Sequence, residues 1–271
     1  RQRQMCIRDS PCRCRKACSC RHHRSRCSLS LPRSDGTKGR LVPTIEFSSV
    51  SVAFDDTVVL EDINLTLTEQ RIGIIGQNGG GKSTLTRLIN GLGEPSAGTV
   101  TVDQMDVAKQ GKKVREKVGF VFSDAENQIV MPNVRDDVAF SLRRFKLPKH
   151  ERLARVDAAL ERFGLAEFAE RSPHTLSGGQ KQLLALAAVM VIDPILIIAD
   201  EPTTLLDLRN RDRIKREFAR LEQQLLVVTH DLEFLRDFDR VICIDNHRIA
   251  ADGRPAEVID FYQDLMAQRP L

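Results

Sequence analysis

The chain has 271 residues, enough for one large or two small domains with a full core, and no apolar run in it approaches the length of a bilayer span. Its net charge of +4 is unevenly placed: residues 1–43 hold 12 of the 41 Lys and Arg but only 2 of the 37 Asp and Glu. The remainder is therefore acidic, which argues against nucleic-acid binding by the folded part.

Six of the seven cysteines (Cys6, Cys12, Cys14, Cys18, Cys20 and Cys27) share that basic segment, leaving Cys243 alone in the body, as fits a reducing cytosol. Cys12, Cys14, Cys18, Cys20, His22, His23 and Cys27 carry zinc-ligating chemistry, but their spacing matches no common zinc module and no apolar framework surrounds them. An Arg- and Ser-rich, acid-poor N-terminus also has the composition of a transit peptide. We expect residues 1–43 to be a disordered or non-native extension and assign them no function.

From Thr44 the text alternates as strands do: "TIEFSSVSVAF", then "VVL" and "INLTLT" with a turn between them. A short apolar strand, Arg71–Ile75, runs into "GQNGGGKST" and a helix reaching Asn90–Gly91, after which "GTVTVD" is another strand. "VGFVF" reads as a strand that stops abruptly at Ser123, five residues before Gln128. Between Asn133 and Arg171 the period is helical and strongly charged, with junctions at Pro148 and Gly164. Strands and helices then alternate: helix Gln180–Ile192, strand Ile195–Ala199, helix from Leu208, strand Leu225–Thr229, helix Leu232–Asp237 and strand Val241–Ile244. Strands separated by helices imply a parallel sheet in an α/β core.

Three stretches carry chemistry. Gly76–Ser83 fits G-x-x-x-x-G-K-S between a strand and a helix, so Gly76, Gln77, Asn78, Gly79, Gly80 and Gly81 can turn backbone N–H groups onto a phosphate chain. Lys82 reaches the β- and γ-phosphates, the Ser83 hydroxyl ligates Mg²⁺, and Thr84 continues the helix start. "ILIIADE" ends in Asp200, which can hold the metal's water shell, and Glu201, which can polarise a water for attack on the γ-phosphate. "LSGGQ" (Leu176, Ser177, Gly178, Gly179, Gln180) is a second anion-binding helix start, and one site does not need two.

With these three motifs in this order, residues 44–265 resemble the ATP-binding-cassette (ABC) ATPases, whose signature is "LSGGQ". The resemblance implies an α/β P-loop NTPase fold with an antiparallel β subdomain and a helical signature subdomain at about 124–190, leaving 266–271 as a short tail. It implies ATP and Mg²⁺ as ligands. It makes Thr229–His230 similar to the switch histidine that contacts the γ-phosphate, and "TTLLD" ending at Asp207 similar to the loop that couples two sites across a dimer, although "TLL" departs from the usual Ser-Ala-Leu. Phe54 falls where the family stacks an aromatic on adenine; a core Phe is the equal alternative. One copy of each motif implies a head-to-tail dimer with a second copy, and intact Lys82, Asp200, Glu201 and His230 imply two active sites.

"SDAENQIVMPNVRDDVAFSL" resembles the energy-coupling-factor importers, and "GGQKQLLALAAVMVIDPILIIADEPTTLLDLRNR" the biotin-transport ATPases among them. This implies a peripheral subunit at the cytoplasmic face of the bacterial inner membrane, bound to a transmembrane coupling subunit and a substrate-binding membrane subunit. A cobalt, nickel or other vitamin importer shares nearly all these features. The DNA-acting branch of the family carries a long coiled-coil insertion, whereas Lys82 and Ser177 here are 95 positions apart without heptads. In the family, the strand-ending position holds a glutamine that touches Mg²⁺ and the attacking water. Ser123 stands there, about 2.5 Å shorter in reach. We expect Ser123 to act through water and Gln128 to lie near the membrane-subunit groove.

Overall fold

The computed structural model describes residues 42–55, 57–204 and 206–269. The expectations for residues 1–41 lie outside the described residues. The first two strands, β1 (Ile45–Phe54) and β2 (Thr57–Leu67), form an antiparallel pair. β3 (Arg71–Gly76) leads through the glycine-rich turn into α1 (Lys82–Ile89). After β4 (Ala97–Val102) and the two-residue β5 (Met105–Asp106) come α2 (Val107–Lys117) and β6 (Val118–Val121). The charged segment folds as α3 (Val134–Ser141) and α4 (Lys149–Arg162), with Pro148 preceding α4 and Gly164 in the left-handed region at φ 66°. Then follow α5 (Gly178–Met190), β7 (Leu196–Asp200), α6 (Leu208–Ala219), β8 (Gln224–Val228), β9 (Arg240–Asp245), β10 (Arg248–Gly253) and α7 (Pro255–Ala267).

Two sheets result. The smaller is antiparallel, in the order β2-β1-β4-β5; the larger runs β10-β9-β3-β8-β7-β6, parallel except for β10 at its edge. The apolar strands of the large sheet carry no polar alternation because both their faces are covered. Ile75, Ile197, Ala199, Leu225, Val227, Val241 and Cys243 face one core, built with α3–α7. Their neighbours Ile74, Ile198, Leu226, Val228, Ile242 and Ile244 face the other, shared with α1 and the antiparallel sheet. Period-two geometry thus feeds two cores from one run of residues.

The expected helix at Leu232–Asp237 is only a 3-10 turn, Leu232–Leu235, where the Asp231 carboxylate accepts from Phe234 N. α2 has no counterpart in the sequence reading: Val107 and Val114 are its only buried residues, and its backbone breaks at Gln110. α7 was likewise not anticipated, and it runs through Met266 into the stretch assigned to a tail.

Gly119 in β6 admits no side chain, since an added Cβ would overlap the Val189 methyl of α5. Gly119→Ala should therefore lower unfolding stability by about 1–3 kcal/mol. Val189→Ala in the same chain should recover part of that loss, read from urea denaturation of the single and double variants.

Candidate active site

Parallel register places the ends of four strands at one edge of the large sheet: Val121 opposes Ala199, Asp200 opposes Val228, and Ile74 opposes Val228. The phosphate loop, the paired carboxylates and His230 all leave from this edge, as ligand sites of open α/β sheets do.

The loop is shaped by close approach. Gly76 adopts φ 145°, and any Cβ there would overlap the Ile244 carbonyl; Gly81 adopts φ 94°, and a Cβ would lie 2.6 Å from the Val59 carbonyl oxygen. Lys82 is 6% exposed and donates to the carbonyls of Gly76 (2.8 Å) and Gln77 (2.7 Å). Burial lowers its pKa, and the carboxylates of Glu201 and Asp200 oppose that shift. One residue on, the Ser83 hydroxyl donates to Asp200 Oδ1 at 3.1 Å. These are two hard oxygen donors side by side, one of them buried and anionic, which is the donor chemistry Mg²⁺ takes.

Glu201 turns off β7 in the left-handed region at φ 50°, its N–H donating to Val228 O at 2.8 Å. Its Oε2 accepts from the Thr204 hydroxyl at 2.9 Å. Its Oε1 is buried 3.2 Å from His230 Nε2, close but not aligned for a hydrogen bond, while the same nitrogen lies 2.8 Å from Asn78 Oδ1. His230 thus touches both the carboxylate and the phosphate loop. A cavity of about 410 Å³ opens between them, lined among others by Lys82, Ser83, Thr84, Ser123, Glu201 and His230.

Ser123 is therefore brought to the loop, and Gln128 is not among the residues lining that cavity. Gln128 accepts from Phe122 N (3.2 Å) and donates to Phe120 O (3.3 Å), so its amide replaces a neighbouring strand at the end of β6. Phe54 is 62% exposed at the end of β1, which removes its reading as a core residue. The Leu176–Gln180 segment lies apart from the cavity. Ser177 caps α5 in a full capping box with Gln180, Leu176 is buried, and a Cβ on Gly179 would overlap the Asn210 side chain. Gly178 has open space around it. Asp207 caps α6, accepting from Asn210 N at 2.8 Å.

Two contributors escape a sequence reading. Thr204 is an ordinary turn residue until its hydroxyl is seen on Glu201, and Asn210 an ordinary helix residue until it is seen against Gly179. Among the described residues no cluster of three or more His, Cys, Asp or Glu is placed to hold a metal ion.

Residues 60–204 match the ABC transporter family. The chain is 49% identical over 222 residues to a putative ABC transporter ATP-binding protein of Deinococcus radiodurans, spanning 82% of this chain and 98% of that one. It is 46% identical over 223 residues to the biotin transport ATP-binding protein BioM of Rhizobium etli (82% and 99%). Against an energy-coupling factor transporter ATP-binding protein of Lactiplantibacillus plantarum it is 39% identical over 217 residues (78% and 77%). A Clostridium perfringens structure described as part of the ABC transporter complex CbiONQ superposes with a TM-score of 0.72 at 32% identity, covering 82% of this chain and 93% of that one.

The Thr204 hydroxyl is the donor that holds the Glu201 carboxylate in place. Thr204→Val should reduce kcat for ATP hydrolysis about tenfold, while Thr204→Ser retains it. A Val variant with the parent rate would remove Thr204 from the site.

Proposed function

The chain belongs to the ABC transporter family, and from that premise we propose that it is the ATP-binding and ATP-hydrolysing subunit of an energy-coupling-factor importer for biotin. The observation that carries the reading is the convergence of Lys82, Ser83, Glu201 and His230 on one cavity at the strand edge, with Asp200 bonded to Ser83 behind it. The biotin assignment draws its support from the similarity to biotin transport ATP-binding proteins.

The loop Gly76–Gly81 surrounds the phosphates with backbone N–H groups, and Lys82 and the N-terminus of α1 supply positive charge. Phe54, exposed, stacks on the adenine. Ser83 and Asp200 would hold Mg²⁺, which would supply neutralisation of phosphate charge. Glu201 takes the proton of the water that attacks the γ-phosphorus as the bond to the leaving diphosphate oxygen breaks. Thr204 orients that carboxylate, and His230 and Ser123 complete the polar wall.

Gly179 is required within the chain, whereas the open surroundings of Gly178 leave room for a ligand held elsewhere. The Leu176–Gln180 segment therefore completes the site of a second copy in a head-to-tail dimer, with the loop at Asp207 beside it. No helix among the described residues is long and apolar enough to cross a membrane. The similarity to transporter ATP-binding subunits supports docking at the cytoplasmic face of membrane subunits that carry the substrate.

Glu201→Gln keeps the shape of the side chain and removes its basicity. ATP binding should persist, while hydrolysis falls about 100-fold or more; steady-state turnover at the parent rate would sink the assignment. Co-expression with its transmembrane partners should give a complex whose biotin uptake needs Glu201. A protein that binds no membrane subunit and whose turnover responds to DNA would reject the importer reading.

A further inference from the structure

Helix α7 closes against the strand behind the phosphate loop. β9 runs beside β3, with Ile244 opposite Gly76, and the Ile244 carbonyl fills the space a side chain at Gly76 would need. The next residue, Asp245, is 9% exposed and meets Arg269 just past the end of α7 at 2.6 Å. One turn earlier, Met266 receives the Gln77 amide of the phosphate loop at 3.5 Å between nitrogen and sulfur. The end of the chain's last helix therefore touches the loop itself and covers a buried carboxylate beside it.

We propose that the Arg269–Asp245 ion pair sets the affinity of the phosphate loop for nucleotide, by cancelling a buried negative charge directly behind an anion-binding turn. The proposal rests on reading Gly76–Thr84 as the triphosphate site. Charges in partly buried surroundings act over longer distances than in water, because the effective dielectric is lower and salt screens them less. An unpaired Asp245 behind the turn repels a polyphosphate held in front of it. These groups share one electrostatic neighbourhood. The thiol of Cys243, on the same strand, is pushed up to about 11, first by burial and then by Asp245, with Lys82 and Arg269 opposing.

The test uses the full chain, equilibrium binding of a fluorescent ATP analogue, and steady-state kinetics. Arg269→Ala should weaken binding about tenfold and raise KM by a similar factor, with a much smaller fall in kcat. Asp245→Asn should bind at least as tightly as the parent, and Asp245→Asn with Arg269→Ala should return to within about twofold of it. A packing role predicts no such rescue, so a double variant as weak as Arg269→Ala overturns the proposal, as does parent affinity in Arg269→Ala. Lys82→Ala separates the two readings. If it abolishes binding while the Arg269 variant binds normally, the ion pair alone fails; if it binds normally, the phosphate-site reading falls and takes the proposal with it.

Discussion

Parallel strand register is the constraint on which the rest of this chain depends. The inner parallel strands of the large sheet feed one core with their odd residues and another with their even ones. A slip of one position would exchange every side chain between the two faces and empty both cores at once. The register that packing enforces also fixes where the strands stop, and it stops them at a common edge. Glu201 shows what the constraint holds in place. A non-glycine residue in the left-handed region costs about 1–3 kcal/mol, and Glu201 remains there because β7 is locked on one side and its own N–H is tied to Val228 O on the other. The strain aims the carboxylate at the phosphate loop rather than along the strand.

The same economy governs the turn after β6. Gln128 takes the Phe120 carbonyl inside β6 and the Phe122 N–H just past its end, in place of a further strand at that edge. Beyond it, Asp137 of α3 accepts from Val130 N and Met131 N, and Glu126 forms an ion pair with Lys181, the residue after the Leu176–Gln180 segment. Asp137 is buried, which raises its pKa, and the two backbone donors work against that rise. The loop that ends at the cavity with Ser123 is therefore pinned at three points, to a strand, to α3 and to α5. A shift of α5 against β6 has to be carried by it.

How much of this was legible follows from where each residue's reason lies. The phosphate loop and the acids at the end of β7 were readable because their chemistry needs fixed residue types at fixed spacing. Ser177 was readable as a helix start because its cap partner, Gln180, is three residues away. The bonds Gln128 makes were not, since its partners are backbone atoms, which leave no mark in a sequence. Phe54 was undecidable at a strand end, where alternation no longer says which face is covered. α2 escaped because two buried valines seven residues apart are too faint a stripe, broken further by Gly111. α7 lies beyond every motif, and its contacts with Gln77 and Asp245 join residues far apart in the chain.

The two adjacent glycines of the Leu176–Gln180 segment carry the argument for assembly. Gly179 lies under the Asn210 side chain, Asn210 N donates to Asp207, and so α5, α6 and the loop before α6 form one rigid corner. Gly178, one residue away, has nothing near it, and a residue with no internal need for glycine pays the backbone entropy of one without return unless something approaches from outside. Leu208, directly after Asp207, is 74% exposed, an apolar side chain beside the same corner. A helix start, an uncrowded glycine and an exposed leucine next to it are the features on which the proposed head-to-tail pairing rests. In that proposal a second copy would bring its triphosphate against the helix start, where the missing side chain would let the anion approach the amides and the leucine would be covered as the two chains closed.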